Sequence, residues 1–197
     1  MHLKDWKKEL FTIPNLLSLF RLVLIPVYVI IYLNAKDYRD YFVAAMILAV
    51  SCLTDLIDGK IARHFNMIST VGKILDPVAD KATQFALILC LALKYPILWY
   101  LVGLFVVKES FQLIAGGINL RKGIMLKGAL LSGKICTTVL FVSLILMVMI
   151  PTMSQGTVNV ITIIDTVFML ISFIDYLVTY VTRANCFQPI DESTENS

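Results

Sequence analysis

Long apolar runs alternate with short polar connections along this chain. The runs fall at roughly 14 to 34, 41 to 63, 72 to 94, 97 to 119, 128 to 150 and 159 to 181, each near the length of about 20 residues with which a helix crosses a hydrocarbon core. Ahead of them, HLKDWKKELF over 2–11 puts Leu3, Trp6, Leu10 and Phe11 near one helical face and Lys4, Lys7 and Lys8 towards another. That is the pattern of a helix lying on an anionic membrane surface, with a solvated helical leader as the plainer alternative. The first apolar run continues past the short core of a signal peptide, and no small-residue cleavage site stands out, so the leader is expected to be retained. After Pro189 the sequence IDESTENS is polar and acidic, the composition of a disordered tail. The pattern therefore predicts an all-α integral membrane protein with six transmembrane helices behind a short amphipathic interfacial helix. Its parts are a juxtamembrane helix at 1–12, a single six-helix membrane domain at 13–182 and a polar tail at 183–197.

Composition agrees with the pattern. Hydrophobic residues make up 58% of the 197 positions and charged residues 16%, with a mean hydropathy of +0.82; an average soluble domain is about 25% charged. Six spans put both termini on one side. The connections on that side carry Lys60, Arg63, Lys73, Arg121, Lys122 and Lys127, beside Lys4, Lys7, Lys8 and Arg183, whereas the opposite connections hold Lys36, Arg39 and Lys94. This asymmetry places the termini in the cytoplasm and the chain in the cytoplasmic membrane. The net charge of +3 is thereby explained by topology, and no nucleic-acid motif accompanies it. Cys52, Cys90, Cys136 and Cys186 are scattered without metal-ligand spacing and read as packing residues.

Four carboxylates stand out against the apolar background. Asp55 and Asp58 fall at the end of the second run, Asp76 and Asp80 within the third. An ionised acid there costs at least about 2.5–3.5 kcal/mol on insertion scales, so it requires a partner. Spacings of three and four set each pair on one helical face, and two such faces turned together would gather four mutually repelling carboxylates. One or two divalent cations would remove that conflict. Hard oxygen donors without His or Cys favour Mg2+ or Mn2+, and Mg2+ in turn favours a phosphate-bearing ligand. Gly59, Ala62 and Gly72 leave bare backbone beside the acids, Arg63 supplies a permanent cation one turn past Asp58, and Pro77 loosens the third helix. An ionic lock of these acids with Lys60, Arg63, Lys73 and Lys81 is the structural alternative, as is plain helix packing for the small residues.

Together the residues spell Asp55-x2-Asp58-Gly59-x2-Ala62-Arg63-x8-Gly72-x3-Asp76-x3-Asp80, which resembles the complete signature of the CDP-alcohol phosphotransferase family. The opening TIPNLLSLFRLVLIPV, Thr12 to Val27, is similar to the start of its phosphatidylglycerophosphate synthase and eukaryote-type cardiolipin synthase branches, both of which use CDP-diacylglycerol. The resemblance implies metal binding by Asp55, Asp58 and Asp76, with Asp80 as general base that also touches a metal, the cofactor being a pair of Mg2+ or Mn2+ ions. It implies a donor site around Asp55, Gly59, Ala62, Arg63 and Gly72, and a homodimeric assembly. For the acceptor, GKICTT at Gly133–Thr138 resembles a GK-x-KT region but has Cys136 where a second lysine is often found. VKES at Val107–Ser110 resembles a G-R-E region with Val107 and Lys108 in place of Gly and Arg. Lys108, Arg121 and Lys134 are thus the candidate acceptor-phosphate ligands, with a role as topology determinants as the alternative.

The resemblance favours transfer of a phosphatidyl group from CDP-diacylglycerol to sn-glycerol 3-phosphate. Phosphatidylglycerol as acceptor, giving cardiolipin, is the runner-up, and an inositol phosphate ranks third. A prenyltransferase would also gather acids around a diphosphate but with other spacings. Outside the enzymes, a cation transporter would need intramembrane carboxylates too.

Overall fold

The computed structural model describes residues 13–64, 72–126, 130–182 and 187–189. The interfacial helix expected over 2–11 and the tail after Pro189 lie outside the described residues. Six helices follow in order: α1 (Ile13–Asn34), α2 (Tyr38–His64), α3 (Gly72–Lys94), α4 (Leu98–Arg121), α5 (Leu131–Met149) and α6 (Gln155–Thr182). Each coincides with one of the apolar runs. Among the described residues, α4, α5, α6 and the Leu16–Asn34 stretch of α1 are long and apolar enough to cross a membrane. α2 and α3 carry the acidic motif among their charges.

Burial runs in the sense expected of a chain solvated by lipid. On α1 the buried positions are Ser18, Arg21, Tyr28 and Tyr32, while Leu19, Phe20, Val23, Ile30 and Leu33 are exposed. α6 repeats the arrangement: Val158, Thr162, Asp165, Met169, Ser172, Tyr176 and Thr179 form its buried face, and Val160, Ile163, Val167, Ile171, Ile174 and Val181 face outward. Hydrocarbon chains solvate the aliphatic side chains as well as a protein core would, so packing and interhelical hydrogen bonds, rather than aliphatic burial, select the inward face. The chain is a multi-pass membrane protein.

Two compact units divide the chain. The first contains α1, α2 and α3 together with Leu144–Met153, and α1 packs against both α2 and α3. α3 is the enclosed member: Ala79, Thr83, Gln84, Leu87, Ile88, Cys90 and Leu91 are all buried. Tyr28, Tyr32 and Tyr41 form a chain of ring contacts, with centroids 5.7 Å and 5.5 Å apart. Lys94 Nζ lies 4.4 Å from the centre of the Tyr41 ring and donates to the Pro151 carbonyl at 3.0 Å, which ties the far ends of α2 and α3 to the Leu144–Met153 segment.

The second unit holds Tyr95–Ser143 and the chain from Ser154 onward. Here α4 packs on α6, with Phe111 edge-on to both Phe173 and Tyr180 at 5.6 Å and 6.0 Å. α4 ends where Lys122 N bonds back to Ile118 and Asn119 and Gly123 takes a φ of +74°, the left-handed conformation that glycine supplies at a helix end. The turn feeds a short strand the sequence pattern did not reveal. Ile124–Leu126 (β1) pairs antiparallel with Phe187–Pro189 (β2), Met125 opposite Gln188, so the polar tail expected over 183–197 contributes a strand at these three residues. Pro189 closes the register at its end, where the missing N–H is tolerated.

Candidate functional site

The helices place the acidic motif as the spacing requires. α2 remains helical through Asp55, Asp58, Gly59, Ala62 and Arg63 to His64, and α3 is helical from Gly72 through Asp76 and Asp80. Each acid pair therefore shares a helical face. The pairs occupy the last third of α2 and the first third of α3, on either side of the 65–71 connection, within one unit. Gly72 is the first residue of α3, where backbone N–H groups lack intrahelical partners and favour anions. Among the motif acids, Asp80 is the one whose side chain is described: it is half-buried and already engaged with a neighbour.

A polar layer lies one turn from the motif. Thr83, three residues past Asp80, is buried and donates to the Ala79 carbonyl at 2.8 Å. Gln84, four past Asp80, is buried, and neither its amide oxygen nor its nitrogen has a hydrogen-bond partner among the described residues. Ser51, one turn before Asp55, lines a cavity of about 10 Å³ with Tyr28 and Thr83; the Tyr28 hydroxyl is another buried group without a partner there. That volume is about the room one water needs, with polar groups to hold it.

Among the described residues no group of three or more His, Cys, Asp or Glu side chains forms a metal cluster. The test of fit therefore rests on donor chemistry and on backbone placement. Four carboxylates paired on two helices supply hard oxygen donors, which suit a divalent cation that retains water and phosphate ligands. Asp55, Asp58, Asp76 and Asp80 are the residues that would hold it.

The three candidate acceptor ligands fare differently from one another. Arg121 closes α4 and Lys134 lies in the first turn of α5, both exposed. Lys108 stands in the middle of α4, only 4% exposed, with Nζ 2.7 Å from Glu109 Oε1 and 3.1 Å from Gln112 Oε1. It is an intramembrane ion pair, and its position in a span rather than a connection sets it apart from topology-determining lysines.

Two further acids were passed over in the sequence. Asp165 is 1% exposed and accepts from Ser143 Oγ at 2.6 Å; Asp175 accepts from Ser132 Oγ at 2.6 Å. The signal was present, since both fall inside the apolar run at 159–181.

Comparison with known proteins follows this geometry. A family model described as CDP-alcohol phosphatidyltransferase matches residues 11–179. The chain is 35% identical over 171 residues to the CDP-diacylglycerol--glycerol-3-phosphate 3-phosphatidyltransferase of Aquifex aeolicus (strain VF5), a match covering 83% of this chain and 93% of that protein. Against the protein of the same description from Escherichia coli (strain K12) it is 45% identical over 71 residues, 36% of this chain and 38% of the relative. A Cardiolipin synthase (CMP-forming) / mitochondrial hydrolase fusion protein of Schizosaccharomyces pombe is 42% identical over 88 residues, which is 45% of this chain but 14% of the fusion.

Proposed function

The chain belongs to the CDP-alcohol phosphatidyltransferase family, and from that premise we propose that it transfers the phosphatidyl group of CDP-diacylglycerol to sn-glycerol 3-phosphate, giving phosphatidylglycerophosphate and CMP. One observation carries this reading: the similarity to the Aquifex aeolicus relative extends over nearly all of that protein, and its description names this reaction.

The residues divide the work as follows. Asp55, Asp58 and Asp76, with Asp80, would hold Mg2+ or Mn2+, as two ions that would supply charge neutralisation at the diphosphate. Gly59, Ala62 and Gly72 admit the cytidine nucleotide against bare backbone, and Arg63 pairs with its phosphates. Asp80 accepts the proton of the acceptor hydroxyl as its oxygen attacks the phosphorus that bears diacylglycerol. A new phosphoester bond forms, the bond to the cytidylate oxygen breaks, and CMP departs with the electron pair. Lys108, Arg121 and Lys134 take the acceptor's phosphate. The lipid tails of the donor remain in the bilayer, the termini lie in the cytoplasm at the cell membrane, and the protein works as a homodimer.

The second reading, cardiolipin synthesis with phosphatidylglycerol as acceptor, is favoured by the Schizosaccharomyces pombe relative. Purified protein given CDP-diacylglycerol and each acceptor separately decides between them. Release of CMP with sn-glycerol 3-phosphate supports the first reading; product with phosphatidylglycerol alone rejects it.

A further inference from the structure

Three helices of the first unit close around one small space. Leu24 and Tyr28 of α1, Leu48 and Ser51 of α2, and Thr83 and Ala86 of α3 line a cavity of about 10 Å³, and all of these but Leu24 are buried. The Tyr28 hydroxyl is the group that most needs an explanation. Its residue is 2% exposed, and the oxygen has no hydrogen-bond partner among the described residues. An unsatisfied buried hydroxyl costs about 1–3 kcal/mol, and hydrocarbon around the bundle has no hydrogen bond to offer it. Thr83 donates its one hydrogen to the Ala79 carbonyl at 2.8 Å, so its oxygen is left to accept. Ser51 can give a hydrogen bond or take one. A donor, an acceptor and a hydroxyl of either kind therefore line the same space. One water needs about 10–15 Å³ and two to four polar partners.

We propose that this cavity is a binding site for a single ordered water, which accepts a hydrogen bond from Tyr28, donates one to Thr83 and has Ser51 as its third partner. The water ties α1, α2 and α3 together at one level. Asp55 lies four residues past Ser51 and Asp80 three before Thr83, both towards the 65–71 connection. At the helical rise these intervals are about 6 Å and about 4.5 Å along the axes, so the tie sits one turn from the acidic motif. Aliphatic contacts give membrane helices little reason to prefer one sliding position over the next, whereas hydrogen bonds do. Tyr28 is thereby a positioning residue: through the water it holds α2 and α3 at the heights that bring the two acid pairs level. That consequence rests on the reading of the four acids as metal ligands; the water site itself does not.

The test uses the full-length protein in detergent micelles. X-ray radiolysis turns a bound internal water into a hydroxyl radical, which oxidises the side chains beside it even where bulk solvent does not reach. Mass spectrometry should find the Tyr28 ring oxidised several-fold faster than that of Tyr95, a buried tyrosine that does not line the cavity. Equal rates overturn the proposal, and because no substitution is involved they do so even if a variant fails to fold. Tyr28→Phe then reads the sign of the hydroxyl's contribution. With water bound, its loss should lower the midpoint of thermal unfolding by about 2–4 °C, the effect of one hydrogen bond in a chain of this size. In a dry cavity, removing an unpartnered hydroxyl leaves the midpoint unchanged or raises it, and that result rejects the water. Ser51→Ala should lower the midpoint too, and the double variant should fall short of the sum, since both groups act through one molecule; strict additivity counts against it. For the positioning role, the metal concentration giving half-maximal CMP release should rise roughly two- to tenfold in Tyr28→Phe, less than the 10–100-fold of groups that touch a ligand directly. An unchanged metal titration beside an oxidised Tyr28 removes the positioning role and keeps the water. If CMP release from the wild type is indifferent to metal, the reading of the acids falls, and the oxidation rates and midpoints still judge the site.

Discussion

Ser143 of α5 donates its hydroxyl hydrogen to the Asp165 carboxylate of α6 across 2.6 Å, with both residues buried. The same Ser143 oxygen stands 2.9 Å from the Leu140 carbonyl, which competes for its single hydrogen over a longer distance than the carboxylate. Hydrogen bonds between membrane helices contribute about 0.6 kcal/mol on average and up to about 1.7. Asp165→Ala is therefore expected to lower stability by about 1 kcal/mol, whereas Asp165→Asn, which keeps an acceptor and loses the charge, should change it by less. Ser143→Ala should cost more than either, because it strands a buried carboxylate. Thermal unfolding in detergent, followed by loss of the monodisperse species, checks the order; equal stability of Ser143→Ala and wild type would contradict it.

The start of α2 carries a pH-sensitive contact. Asp40 accepts from the backbone N–H groups of Lys36 at 2.9 Å and Asp37 at 3.3 Å, and these hydrogen bonds, Lys36 first, hold its carboxyl below the ordinary carboxylate range. Because the native group ionises more readily than its unfolded counterpart, the contact is complete above the unfolded carboxylate value and is lost as pH falls through the lower native one. Protection of the Lys36 and Asp37 amides from hydrogen exchange should decrease over that acidic window. In Asp40→Asn the protection should be weaker and independent of pH; an unaltered acid response in that variant would show that another group controls it.

Several features were legible in the sequence because one physical cause wrote them plainly. Helix positions followed from run length: α3 begins at Gly72 and ends at Lys94, as the third apolar run does. The acid pairs stood out because a charge in an apolar run is costly. Asp165 and Asp175 carried the same signal without the accompanying motif, and their partners Ser143 and Ser132 lie on another helix, 22 and 43 residues away in the chain. The β1–β2 pairing was invisible for a related reason. Its strands are three residues long and lie far apart in sequence, and neither alternates strongly enough to announce an edge. The fit of Tyr176 against Gly133 likewise joins two helices, and no spacing along one helix encodes it.

Metal dependence tests the motif directly. Chelation with EDTA should abolish CMP release from the wild-type protein, and Mg2+ or Mn2+ should restore it. Asp58→Asn removes one carboxylate from the set and is expected to raise the metal concentration for half-maximal activity by about tenfold or more, since even outer partners of metal ligands are worth 10–100-fold. An identical metal titration in the variant would take Asp58 out of the ligand set.

Asp80 is where the chemistry and the described geometry meet, because its half-buried side chain sits on the enclosed helix α3 one turn ahead of buried Thr83 and Gln84. A general base contributes typically 10²–10⁴-fold to turnover. Asp80→Asn keeps the shape and removes the proton acceptor, so kcat should fall by about that factor while binding of the cytidine nucleotide is largely retained, as measured by calorimetric titration with CMP in the presence of Mg2+. Raising the metal should partly restore Asp58→Asn, whereas in Asp80→Asn it can refill only the ion that Asp80 also touches and should leave the deficit in kcat that comes from the missing base. Near-normal turnover in Asp80→Asn would reassign the base to another residue.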